Sequence, residues 1–273
     1  MIDFPIAKIN LGLNIVGRRS DGYHDLETVF YPVPICDVLE ATPMDEAFPS
    51  AACCDIKVTN AAIDCADEDN LVVKAYNLLR TGHSLPRLHV HLFKRIPMQA
   101  GMGGGSSDCA FMIRMLNREF GLGLTQRQMA DMASRLGADC PFFIYGTPAY
   151  AEGIGERLSP VALDLSGWWL AVVCPHIPVS TKEAFAHVEV KPTATKCRDI
   201  VAQPVETWRG RLTNDFERSV FRLHPEIGGI KQRLYDAGAA YASMTGSGSS
   251  VFGLFRGEPR LDFGQVPVHV LKL

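Results

Sequence analysis

The chain has 273 residues, 47% of them hydrophobic and 21% charged, with a formal net charge of -3. This is ordinary globular usage, which excludes fibrous and disordered classes, and the near-balanced, scattered charge excludes the basic footprint of a nucleic-acid binder. The most apolar stretch, Trp168 to Cys174, falls far short of the roughly 20 residues that cross a bilayer.

The length suits one large domain or two moderate ones with a proper core. Met1-Ile-Asp-Phe-Pro5 carries a charge and a proline where a signal peptide has an apolar run. Eight cysteines, at 36, 53, 54, 65, 109, 140, 174 and 197, form no C-x-x-C pair. The expectation is a reduced, cytoplasmic protein. No internal repeat or low-complexity tract occurs.

In chain order, Ile9, Leu11, Leu13 and Ile15 alternate as a strand, ended by the polar turn at 17–22. Further strands are expected at 25–41 and 54–60. Asp69 then reads as the cap of a helix with Leu71, Val72, Ala75, Leu78 and Leu79 on one face and Gly82 as its stop. A strand from Arg87 to Lys94 runs into a glycine loop, followed by a helix from about Ser107 to Phe120. Thr125 and Gln128 form a capping-box pair for a helix ending at Gly137, and Ser180 and Glu183 repeat the signature. The second half alternates: strands at 168–174, 239–244, 250–255 and 266–271, helices near 180–187, 213–222 and 226–237. The expected fold is α+β, or mixed α/β, in two lobes. The boundary is placed near 146–165, which gives domains 1–150 and 151–273.

The glycine loop, Ile96-Pro-Met-Gln-Ala-Gly-Met-Gly-Gly-Gly-Ser-Ser-Asp108, lies between strand and helix patterns. Glycines 101, 103, 104 and 105 lack the Cβ atoms that would block close backbone approach to a ligand. The following helix adds unsatisfied N–H groups and the positive end of its dipole, which together make an anion site. Ser106 and Ser107 add hydroxyls, as caps or as ligands of a phosphate or Mg²⁺. The bland alternative is a surface turn with a Ser or Asp N-cap. A Walker loop is excluded because no Gly-Lys dipeptide exists in the chain. A dinucleotide site would want these glycines in the first βα turn. Asp262-Phe263-Gly264, a protein-kinase tripeptide, sits at the far C-terminus without an upstream H-R-D and is a chance match.

Two further segments accompany the loop: Pro5-Ile-Ala-Lys8-Ile-Asn10-Leu-Gly-Leu13, and Ser243-Met-Thr-Gly-Ser-Gly-Ser-Ser-Val-Phe252. In this order the three resemble the motifs of the GHMP kinases, over the whole chain. Arg19-Ser-Asp-Gly-Tyr-His24-Asp-Leu-Glu-Thr28 and Leu136-Gly-Ala-Asp139-Cys-Pro-Phe142 narrow the resemblance to the 4-diphosphocytidyl-2-C-methyl-D-erythritol kinases. The loop departs from that family at Gln99-Ala-Gly-Met, where glycine is frequent, and at Cys109, where alanine is usual. Neither removes a backbone donor.

The resemblance implies an N-terminal ribosomal-protein-S5-domain-2-like lobe and a C-terminal ferredoxin-like lobe. It implies ATP as phosphoryl donor with Mg²⁺, and a cytidine diphosphate-linked polyol as acceptor, phosphorylated on its 2-hydroxyl. Asp139 matches the catalytic aspartate, and Lys8 lies beside it in the family. Pro97, Met98, Gln99, Ala100, Gly101, Met102, Gly103, Gly104, Gly105, Ser106 and Ser107 would hold the phosphates, with Asn70, Leu71 and Lys94 around the adenine. Asn10, Tyr23, His24, Thr181, Phe185, Gly246 and Ser247 would bind the acceptor, with Tyr23, His24 and Phe185 at its cytosine.

Each assignment has a plainer rival in the residues themselves. Asp139 precedes Pro141 and reads equally as the N-cap of a short helix. Lys8 is either an exposed edge-strand lysine or a partnered buried one. Leu71 fits the core stripe of its helix, and Phe185 fits plain core. His89 and His91 share a strand face but have no third ligand at suitable spacing, so a solvated face is expected rather than zinc. Asp64, Asp67, Glu68 and Asp69 read as an acidic loop. Two other whole-chain readings compete: a GHMP kinase of the homoserine or mevalonate type, and a nucleotide-binding regulator without catalysis.

Overall fold

A computed structural model describes residues 1–61, 65–185, 188, 190 and 195–273. Asp64 and the last two residues of the helix expected at 180–187 lie outside them. The chain divides into two compact units: Met1–Ala7, Val33–Met98 and Gly103–Thr147 form the first, and Lys8–Pro32, Gln99–Met102 and Pro148–Leu273 the second.

The first unit holds a sheet of β1 (Ile2–Asp3), β4 (Val38–Pro43), β6 (Leu88–Phe93) and β5 (Cys54–Thr59), in that order. β4 pairs antiparallel to β1 and β6, and β5 parallel to β6. In β6 the even residues Leu88, Val90 and Leu92 are buried, while His89 and His91 sit half-buried on the other face. His89 Nδ1 lies 3.3 Å from Asp55 Oδ2, and His91 Nε2 is 2.8 Å from Thr59 Oγ1. Among the described residues no group of three or more His, Cys, Asp or Glu is gathered to hold a metal.

Four helices complete this unit: α1 (Leu71–Arg80), α2 (Gly104–Glu119), α3 (Gln126–Ser134) and α4 (Cys140–Tyr145). Asn70, not Asp69, caps α1, because its side chain accepts from the Val72 N–H at 2.9 Å. Asp69 instead ends a short 3₁₀ turn and pairs with Lys74 on the surface. The buried stripe of α1 is Val72, Val73, Ala75, Tyr76 and Leu79, so Leu71 and Leu78 are only half-buried. The capping box of Thr125 and Gln128 is present as expected.

The second unit contains the sheet β2 (Ile6–Arg18), β3 (His24–Cys36), β7 (Ala149–Gly153), β8 (Arg157–Pro160), and the sheet β10 (Tyr241–Met244), β11 (Val251–Phe255), β9 (Trp169–Val173), β12 (Val268–Lys272). The second of these sheets is antiparallel throughout. Helices α5 (Thr181–Phe185), α6 (Cys197–Val201), α7 (Phe216–Leu223) and α8 (Pro225–Asp236) follow in chain order. Apolar residues of β2, β9, β10, β11, α7 and α8 form one continuous core. β7, β8 and α6, of four or five residues each, have no counterpart among the expected elements. Among the described residues no helix is long and apolar enough to cross a membrane.

Candidate active site

The second unit brings three separated segments of the sequence together. β2 is buried from Ala7 to Ile15 on both faces, polar residues included. Lys8, which pattern alone left as a surface or a buried residue, is 3% exposed. A buried ammonium needs partners. Lys8 Nζ donates to Asn10 Oδ1 at 2.5 Å and lies 5.0 Å from the centre of the Phe30 ring. Asn10 in turn donates from Nδ2 to Thr28 Oγ1 at 3.0 Å, and Thr28 donates to the Gly12 carbonyl.

The third motif closes over this arrangement. The Asn10 N–H donates to Thr245 Oγ1 at 3.1 Å, and the Thr245 hydroxyl lies 3.0 Å from the Gly101 carbonyl. The Lys8 N–H donates to the Met102 carbonyl at 3.0 Å, and the Ser250 N–H donates to the Ala100 carbonyl. Asn214 Nδ2 donates to the carbonyls of Met244 and Gly246, each at 2.8 Å, and holds the turn. Gly101 has φ +74°, and a Cβ there would stand 1.9 Å from the Thr245 carbonyl oxygen. Only glycine satisfies both conditions. Thus Lys8, Asn10, the loop at 100–102 and the turn at 245–250 form one hydrogen-bonded assembly.

Tyr23 and His24 follow a turn closed by the Arg19 N–H on the Tyr23 carbonyl. Tyr23 is 60% exposed, so no core packing accounts for its ring. His24 stacks on Phe185, with centroids 4.7 Å apart, and Phe185 meets the edge of Phe216 at 4.8 Å. Phe185 therefore borders the core and the aromatic turn at once. Thr181, first residue of α5, is exposed.

In the first unit, α2 begins at Gly104, three residues before the expected Ser107, because the glycine run itself forms the first turn after the left-handed Gly103 at φ +73°. No side chain caps it. The cap reading of Ser106 and Ser107 is therefore corrected: the Ser107 hydroxyl is buried with no protein partner. Ser106 hydrogen-bonds the Cys140 thiol, and a second thiol bond joins Cys140 to Cys109. The Cys109 bond, with that of Ser106, holds Cys140 below the usual thiol range, while the same pair and burial push Cys109 up.

Asp139 stands half-buried at the position preceding α4, but its carboxylate makes no capping bond to that helix. Position and Pro141 suit a cap; the helical φ of -81° and ψ of -15° at Asp139 do not.

The sequence reading missed a buried ionic group beneath the glycine loop. Lys94, expected near adenine, is 4% exposed and its ammonium is held by Asp37 and, at 2.6 Å, by Asp108. Asp37 also accepts the N–H groups of Arg95 and Ile96. Burial pulls Lys94 down, but Asp108 and Asp37 together lift it above the usual lysine value. Burial pushes the Asp108 carboxyl up to about 7, with Lys94 opposing and Asp37 adding to the rise. A lone acid amid apolar residues, Ile35-Cys-Asp37-Val-Leu39, was the available signal.

Residues 70–147 match the family model of the GHMP kinase N-terminal domain, and residues 201–265 that of the GHMP kinase C-terminal domain. The chain is 49% identical over 255 residues to the 4-diphosphocytidyl-2-C-methyl-D-erythritol kinase of Parabacteroides distasonis, covering 93% of this chain and 92% of that one. A crystal structure of 4-(cytidine 5'-diphospho)-2C-methyl-D-erythritol kinase superposes with a TM-score of 0.78 at 32% identity, covering 94% and 91% of the two chains. The homoserine kinase of Cytophaga hutchinsonii shares the fold, with a TM-score of 0.69 at 17% identity over 97% and 93%. The chain belongs to the 4-diphosphocytidyl-2-C-methyl-D-erythritol kinase family of the GHMP kinases.

Proposed function

We propose that this chain transfers the γ-phosphoryl group of ATP to the 2-hydroxyl of 4-diphosphocytidyl-2-C-methyl-D-erythritol. The observation that carries the reading is the joining of Lys8, Asn10, Gly101 and Thr245 in one hydrogen-bonded assembly, in a chain 49% identical to a kinase of that name. The exposed Tyr23 beside the His24–Phe185 stack favours this acceptor over mevalonate or homoserine, since neither offers a base to stack.

GHMP kinases use ATP as phosphoryl donor. Phosphoryl transfer asks the protein mainly for positioning and charge stabilisation. The bond from the acceptor's 2-oxygen to the γ-phosphorus forms as the bond from that phosphorus to the β–γ bridging oxygen breaks, and ADP leaves. Asp139 receives the hydroxyl proton and later returns it to water. The Lys8 ammonium lowers the cost of the developing alkoxide. The loop from Pro97 to Ser107 and the N-terminus of α2 hold the phosphates.

Asn70, Leu71 and the backbone at Lys94 border the adenine, while the Lys94 ammonium is committed to its two carboxylates. Tyr23, His24 and Phe185 hold the cytosine; Thr181, Gly246, Ser247 and Asn10 line the diphosphate and polyol. Mg²⁺ bound with the nucleotide would neutralise charge on its phosphates. It favours phosphate oxygens and water over dedicated protein cages, and the buried Ser107 hydroxyl at the first turn of α2 is an oxygen donor of the class it accepts. The nucleotide machinery falls in residues 1–150 and the rest of the acceptor site in 151–273, in a cytoplasmic enzyme.

ADP release measured with 4-diphosphocytidyl-2-C-methyl-D-erythritol, mevalonate and homoserine tests the reading. Turnover is expected with the first alone. Turnover of mevalonate or homoserine without the first overturns the acceptor; none with any supports the non-catalytic alternative. Asp139→Ala is expected to abolish turnover while ATP still binds.

A further inference from the structure

We infer that Asp37 and Asp108 are positioning residues for the nucleotide loop, clamping its two stems together through Lys94. The inference rests on the proposed use of that loop for ATP. All three side chains lie in the first unit. The incoming stem is residues 94–96. Asp37, fully buried, takes the Arg95 and Ile96 N–H groups on one oxygen and the Lys94 ammonium on the other. Asp37 is itself fixed, as its N–H donates to the Pro5 carbonyl at 2.9 Å.

The outgoing stem is the first turn of α2. Asp108, 2% exposed, accepts from the same ammonium at 2.6 Å. Lys94 cannot swing away, because its own backbone is pinned by Thr59 O at 3.0 Å and by Asn60 Nδ2 at 2.7 Å. A Cβ on Gly104 would sit 3.3 Å from Lys94 Nζ and 3.1 Å from Ile96 Cγ2. The glycine at 104 therefore also lets the two stems close on each other.

Once Asp108 gives up its proton, above about pH 7, two carboxylates on one ammonium leave the buried group one negative charge in excess, and Asp108 Oδ1 has no hydrogen-bond partner. Packing alone would be served better by apolar side chains of the same volume. What the ionic group adds is direction: four charge-assisted contacts that fix the stem at 94–96 against the start of α2. A loop whose ends are fixed presents its N–H groups to phosphate without further ordering, and displacement of such groups by about 1 Å costs up to roughly 100-fold in rate.

The test compares Asp37→Ala, Asp108→Ala and Asp108→Asn with the unaltered full chain. Affinity for a non-hydrolysable ATP analogue with Mg²⁺ is read by calorimetry, and the two KM values by steady-state kinetics. Each alanine variant is expected to weaken the analogue and raise KM for ATP by about 10-fold, with KM for the cytidyl acceptor within about 2-fold. Asp108→Asn, whose amide oxygen still accepts from Lys94, recovers most of the loss, to about 3-fold. Should Asp37→Ala fail to fold, the Asp108 pair carries the test alone. Folded alanine variants with unaltered analogue affinity, or with both KM values raised together, overturn the clamp. If the unaltered chain binds the analogue but phosphorylates nothing, the proposed function fails while the binding comparison still decides the clamp.

Discussion

The glycine loop is supported by different chemistry in the two units. In the second, residues 99–102 are held by a largely neutral lattice of Asn10, Thr28, Thr245 and Asn214 around a single lysine. In the first, the stems are held by three buried charges, Asp37, Lys94 and Asp108. Neutral bonds have modest net value, and losing one costs chiefly the group left unpaired. Buried charges depend wholly on one another, so the ionic side is more directional and less tolerant of change.

Removing the shared cation gives the largest expected effect. Lys94→Met leaves Asp37 and Asp108 buried without compensation, and should lower unfolding free energy by about 3–5 kcal/mol, read by urea denaturation. A loss near 1 kcal/mol would mean that both supports behave alike. Next is Thr245→Val, which keeps the shape but orphans the buried Asn10 N–H; a loss of about 1–3 kcal/mol is expected.

Asp108 separates the two sides by pH. Its folded value, about 7, lies above the 3.8 of an exposed aspartate, so the folded state holds the extra proton between them. The stability this group contributes is complete below about pH 4 and is lost as pH rises through 7. Asp108→Asn should therefore gain on the unaltered protein as urea unfolding is moved from pH 5 to pH 7.5. A difference constant with pH would contradict the buried-charge account.

The smallest effect is expected at Lys74. Its ammonium lies 2.9 Å from Asp69, but the two side chains are 42% and 62% exposed. Lys74→Ala should cost no more than about 0.5 kcal/mol, because water replaces Lys74 at the exposed Asp69, as it cannot replace Lys94 between the buried Asp37 and Asp108.

The motif segments were legible in the sequence because glycine runs and the Lys8-Ile-Asn10 spacing carry their chemistry locally. The strand of Lys8, the capping box at Thr125 and the helices α7 and α8 followed from periodicity. Side-chain burial did not. Lys8 and Lys94 are both lysines in apolar strand contexts, and only the tertiary arrangement shows what each one meets. Asp37 and Asp108 lie 71 residues apart and share a cation with neither a spacing rule nor a motif to announce it. The cap of α1 shifted from Asp69 to Asn70 because adjacent acid and amide offer the same cap chemistry, and the backbone turn selects between them.

The product of the reaction is the most direct test of the proposed transfer. With ATP, Mg²⁺ and 4-diphosphocytidyl-2-C-methyl-D-erythritol, phosphorus and proton NMR should show a new phosphomonoester on the 2-oxygen, with ADP in equal amount. An ester on another hydroxyl, or ADP formed without any ester, would contradict it.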